Sequence, residues 1–108
     1  MNSTGADLPQ PDIEIDRLIH EPARMIIMAL LYVVDEADFV YLVQQTGLTP
    51  GNINSHMARL LAGGYVTVEK TFVANRPRTV YRMTEEGRVA IRRYRQQVGN
   101  VLAQIDAR

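Results

Sequence analysis

Residues 49–62 read "TPGNINSHMARLLA" and hold most of the side chains able to make directed polar contacts. Asn52, Asn54, Ser55, His56 and Arg59 bring amide, hydroxyl, imidazole and guanidinium groups within two helical turns. An amide sets a donor beside an acceptor, and a guanidinium offers a planar fork of donors. Those are the shapes that fit nucleobase edges: an Asn amide matches adenine and an Arg fork matches guanine. No Asp, Glu or Lys occurs between 49 and 62, although a helix kept polar only for solubility usually mixes both signs. A second cluster lies in "KTFVANRPRTVYRMT" (70–84). Two runs of β-formers flank "ANRPR", which carries Asn75, Arg76, Pro77 and Arg78. A turn needs residues that bend, and arginine does not help bending. Arginines there offer charge to something negative, with Lys70 and Arg82 on the flanking runs. Pro77 narrows the loop and lowers the entropy lost on docking.

Other chemistries find little support. The two histidines, His20 and His56, form no nucleophile–base–orienter set with the available Ser and Thr residues. With no cysteine, disulfides and thiolate metal sites are excluded. Neither histidine has further ligands at metal-binding spacing, and no Gly-rich phosphate loop is present. The expectation is a protein that is not an enzyme and needs no cofactor or metal.

The elements that must hold these side chains follow from periodicity and punctuation. Residues 1–11 read as a flexible tail, and "IEIDRLIHE" (13–21) as a short helix or extended segment. Pro22 suits the first turn of a helix. "ARMIIMALLYVV" (23–34) is apolar nearly all round, which predicts a central, buried helix. Met25, Met28, Met57 and Met83 are expected in the core. "DEAD" (35–38) supplies capping residues, with Asp38 capping a helix over 39–46 that Gly47 ends. Thr49 and Pro50 are a good N-cap and first residue for a helix over 50–62. Ile53, Met57, Leu60 and Leu61 give it one buried stripe. Gly63 and Gly64 stop it. "YVTVEKTFV" (65–73) alternates as a strand, with "TVYRM" (79–83) as its partner across a five-residue loop. Thr84 caps a last long helix whose first turn holds Glu85 and Glu86. The order is helix, helix, helix, hairpin, long helix, in a mainly α member of the α+β class.

Composition is consistent with this scheme. A chain of 108 residues with 46% hydrophobic content points to one domain with a packed core. No apolar run approaches the ~20 residues of a membrane span, and the first residues lack the basic and apolar regions of a signal peptide. A soluble, cytoplasmic protein is expected. The formal net charge of zero hides a split. Residues 1–48 hold two arginines against eight acids, whereas residues 49–108 hold ten Lys and Arg against four acids. Such asymmetry suggests a polyanion as partner of the basic half.

The helices over 39–46 and 50–62 are joined by three residues including Gly47, the spacing of a helix-turn-helix. In that motif the second helix lies in the DNA major groove and its N-terminal residues meet the bases. "LTPGNINSHMARLLAGGYVTVEK" followed by "RPRTVYRMTEEGR" resembles the winged helix-turn-helix of small MarR/ArsR-like transcriptional regulators over roughly residues 17–95. The resemblance implies a two-stranded β-hairpin wing at 69–80, a recognition helix at 50–62 and a dimeric repressor or activator of transcription. Double-stranded DNA is then the expected partner. Its contacts would come from Thr49, Pro50, Gly51, Asn52, Asn54, Ser55, His56 and Arg59. Lys70, Asn75, Arg76 and Arg78 would contribute from the wing. A domain plan follows: tail 1–11, DNA-binding domain 12–84, and a dimerisation helix 85–108. A winged-helix module that binds protein instead of DNA is the alternative.

The last helix carries Ile91, Tyr94, Val98, Val101 and Ile105 at spacings of 3 and 4, a narrow apolar seam. Leu102 adjoins it. Together with Ile13, Ile15 and Leu18 this seam is expected to pack across a two-fold axis in a homodimer. Arg92, Arg93 and Arg95 would face Glu14 and Asp16 of the partner. No residue announces a small-molecule effector.

Overall fold

The computed structural model describes residues 14–107. The expected tail 1–11 and Ile13 of the expected interface lie outside these residues. The elements are α1 (Pro22–Val34), β1 (Glu36–Asp38), α2 (Phe39–Thr46), α3 (Pro50–Ala62), β2 (Val66–Val73), β3 (Arg76–Met83) and α4 (Glu85–Asp106).

Each helix starts on the cap its sequence supplies. Asp38 Oδ1 accepts from Tyr41 N at 2.7 Å, Thr49 Oγ1 from Asn52 N at 3.1 Å, and Thr84 Oγ1 from Gly87 N at 2.9 Å. Glu21 does the same for α1, accepting from Arg24 N at 2.9 Å. These bonds satisfy amides that no helical carbonyl reaches. Pro22 and Pro50 open α1 and α3, where a missing N–H costs nothing. Gly47 ends α2 in the left-handed region at φ 72°.

The sheet departs from the sequence reading twice. It has three antiparallel strands in the order β1-β3-β2, so "DEAD" provides a strand as well as a cap. Ala37 pairs with Tyr81, and three residues are too few for alternation to show in the sequence. The hairpin also has no five-residue loop. Val73 pairs with Arg76 around a two-residue turn, Ala74 and Asn75, whose φ values are 52° and 65°. Two left-handed residues make the primed turn that matches strand twist. Arg76, Pro77 and Arg78 therefore belong to β3 and not to the loop. Pro77 is tolerated there for a geometric reason. Ladder bonds alternate along an antiparallel pair. Next to the closing Val73–Arg76 pair, Pro77 directs its nitrogen away from β2. On that side β1 covers only Val80 to Arg82, so no ladder bond is lost.

The core is built from Ile19, Ile27, Met28, Leu31, Leu42, Ile53, Met57 and Leu60, all fully buried. Helix α1 contributes one face only. Met25, Ile26, Tyr32 and Val33 are exposed, Val33 by 78%, so α1 is not buried all round and Met25 is not core. The segment before α1 is held to its own domain. Asp16 Oδ1 accepts from Leu18 N and Ile19 N at 2.9 and 3.1 Å, and Tyr65 donates its hydroxyl to the other carboxylate oxygen. Helix α4 sets out from a tight contact: a Cβ on Gly87 would stand 2.3 Å from the carbonyl oxygen of Tyr65. From there α4 runs past the body, and the molecule extends 66 Å along one axis against 25 and 21 Å across.

Candidate nucleic-acid interface

Helix α3 buries Ile53, Met57 and Leu60, which fixes its rotation about its own axis. The opposite side is open, and Thr49, Pro50, Gly51, Asn52, Asn54, Ser55 and Arg59 are all exposed. Nothing lies within 4 Å of where a Cβ on Gly51 would be, so the first turn can approach another surface closely. The amide and hydroxyl groups of Asn52, Asn54 and Ser55 take no protein partner among the described residues and remain free for a ligand. Arg59 is likewise in no ion pair among the described residues and stands in the last turn, where a cation also suits the helix dipole.

His56 stands apart from this set. Its ring is half-buried, and its Nδ1 lies 3.1 Å from Arg24 Nη1 and 3.8 Å from Glu21 Oε1. Because Arg24 can only donate, Nδ1 is the acceptor in that contact. The imidazole therefore holds α3 against the start of α1. The backbone amide of Arg24, joined by that of Ala23, holds the Glu21 carboxyl below its usual range.

On the sheet, opposite charges alternate. Arg82 donates to Glu36 at 2.8 Å and to Glu69 at 2.6 Å, which raises its own pKa further. Arg78 donates to Asp38 at 3.3 Å. Arg82 is thus neutralised by two carboxylates, and Arg78 is tied to the cap of α2. Lys70 and Arg76 have no ion pair among the described residues. Of the expected wing cations these two are the least engaged, and Asn75 stands exposed at the turn.

The expected dimer residues divide. Ile91 and Tyr94 lie in the domain's own core, and Ile15 and Leu18 pack against it. The Tyr94 hydroxyl meets His20 Nδ1 at 2.9 Å. Burial raises the pKa of Tyr94. Arg92 stacks over Tyr32 of its own chain, 6.0 Å from the ring centroid. Val98 and Val101 are half-buried, while Leu102 and Ile105 are exposed. What sequence reasoning missed is the other wall. Met25, Ala29, Tyr32 and Val33 of α1 face Arg95, Val98 and Leu102 of α4 across an open apolar groove of about 590 Å³. The available signal was the excess apolar face of residues 23–34, more than one small core can cover.

Among the described residues no helix is long and apolar enough to cross a membrane. No group of three or more potential metal ligands occurs among them either.

Comparison with known proteins agrees with this architecture. An uncharacterised protein of Methanocaldococcus jannaschii is 33% identical over 78 residues, which span 72% of this chain and 85% of that one. The structure of a transcriptional regulator homologue from Pyrococcus horikoshii superposes with a TM-score of 0.81 at 31% identity, covering 90% of this chain and 96% of the other. A PadR-family transcriptional regulator from Eggerthella lenta shares the fold at a TM-score of 0.66 and 21% identity, over 83% and 87% of the two chains. The model described as a winged helix DNA-binding domain matches residues 23–102. That match spans α1 to most of α4, and the chain belongs to the winged helix DNA-binding domain family.

Proposed function

We propose that the protein is a sequence-specific regulator of transcription that binds duplex DNA as a homodimer. Helix α3 enters the major groove, with Asn52, Asn54, Ser55 and Arg59 reading base edges. The wing lies along the backbone or minor groove, with Lys70 and Arg76 as its main phosphate contacts. The observation that carries this reading is the outward side of α3. It is exposed, polar, free of acids and lysines, and held at a fixed rotation by three buried residues. The likeness to a transcriptional regulator homologue supports it.

The dimer closes over the α1–α4 groove. Leu102 and Ile105 on α4, with Val33 on α1, leave apolar surface that a second copy covers, and two-fold pairing suits a near-palindromic site. The two α3 helices would then reach successive major grooves, ~34 Å apart.

The test is selection of genomic fragments by the purified protein at two salt concentrations. The expected result is enrichment of a near-palindrome that survives the higher salt. Binding without enrichment would remove sequence specificity, and no binding at either salt would leave the fold serving a protein partner.

A further inference from the structure

The end of the wing carries more apolar surface than a hairpin needs. Phe72 is 72% exposed and Val73 is 55% exposed, and neither belongs to the core. Phe72 sits directly across the ladder from Pro77. In a non-hydrogen-bonded pair the two residues stand close together on one face, which sets the proline beside the phenyl ring. Side chains alternate along a strand, which places Lys70 on the same face as Phe72. Arg76 and Arg78 lie on the opposite face. No acid occurs from Lys70 to Thr84. The end of the hairpin is therefore an aromatic blade with cations on both sides. An exposed aromatic of this kind calls for a partner that is polyanionic outside and apolar between layers. Duplex DNA has that construction: phosphates line its grooves, and stacked bases lie between them.

Resting on the DNA reading above, we propose that Phe72, with Pro77 beside it, is a wedge that enters the minor groove beside the α3 contact and partly unstacks one base step. Apolar side chains inserted this way kink a duplex toward the major groove. Arg76 and Lys70 hold the flanking phosphates while the ring is inserted. The step entered should be a flexible pyrimidine–purine step, because such steps open most readily. Phe72 would thus add sequence preference at a position outside the reach of α3.

The experiment uses the full chain and duplexes carrying the fragment recovered by selection, with 2-aminopurine placed at each successive step outside the α3 half-site. Binding is followed separately by anisotropy. The expected result is a rise in 2-aminopurine fluorescence at one step per half-site. Phe72→Ala should abolish that rise, weaken binding roughly tenfold, as for loss of one aromatic stacking contact, and leave the salt slope unchanged. Phe72→Trp should restore the fluorescence change. Equal fluorescence with wild type and Phe72→Ala, in complexes that anisotropy shows are formed, would overturn the wedge while leaving the DNA reading intact. Absence of binding by the wild-type protein would overturn both. Phe72 is exposed and outside the core, so the alanine variant should unfold at the wild-type temperature.

Discussion

Asp38 serves two elements at once: one carboxylate oxygen caps α2 through Tyr41 N at 2.7 Å, and the other accepts from Arg78 Nε at 3.3 Å. The wing is thereby fastened to α2, the helix that precedes α3. Arg78 and Arg76, two residues apart in one strand, are not equivalent.

Arg76→Ala should lower the salt slope of DNA binding by about one, the share of a single phosphate contact. Arg78→Ala should lower it by less, because its charge is already partly matched. The two slopes, measured by anisotropy across a range of salt, check this. Equal slopes would mean that the pair with Asp38 opens on binding. Exposed pairs of this kind contribute under about 1 kcal/mol to stability, so neither variant should unfold.

Asn52→Ala and Arg59→Ala should each cost about 1–3 kcal/mol at one base position of the selected site, with little loss on unrelated sequence. Competition binding against single-base variants of that site measures the effect. A uniform loss across all sequences would reassign these residues to phosphates.

Gly87→Ala should destabilise the fold by about 1–3 kcal/mol, because the added methyl meets the Tyr65 carbonyl and not a movable side chain. Gly51→Ala, where a Cβ meets nothing and no subunit contact is proposed, is the control for stability. It should be neutral or slightly stabilising from helix propensity. Denaturant unfolding of both variants decides the point.

Much of this arrangement was legible in the sequence. The bounds of α2 and α3 follow from Asp38, Gly47, Thr49 and Pro50, because caps and terminators act locally. The wing was harder to read. Pro77 looks like part of a loop until β1 is known to stop at Asp38, which leaves the proline's bare nitrogen facing no strand. The true turn, Ala74–Asn75, was hidden because alanine rarely takes a left-handed φ. The open face of α1 was misread as core. Periodicity reports how apolar a helix is, but not how much neighbouring surface exists to cover it. The turn of His56 toward α1 depends on Arg24, 32 residues earlier in the chain, and no local pattern carries that pairing.

Leu102→Asp combined with Ile105→Asp should yield a folded monomer, because both side chains are exposed and lie outside the core. Sedimentation at micromolar concentration, alongside circular dichroism, would detect the change. A dimer in both would place the interface elsewhere, and a monomer in both would overturn the homodimer.

Stability should fall as the pH rises from 10 toward 12. Burial, then the hydrogen bond to Asp16, pushes the Tyr65 phenol up to about 12. A phenol whose folded pKa lies above its unfolded value stabilises the fold below pH 10. It loses that contribution as the pH climbs through the folded value. Tyr65→Phe should flatten this part of the profile. A residue of slope should remain from Tyr81 and Tyr94, whose phenols are also raised by burial. Urea midpoints measured from pH 8 to 12 would show it.

The hydrogen bond from Arg24 to His56 joins α3 to α1, and the far side of α1 is one wall of the groove. In the proposed complex, operator and second subunit would therefore act on the same helix from opposite sides. By thermodynamic linkage, whatever factor the operator adds to subunit affinity, the second subunit must add to operator affinity.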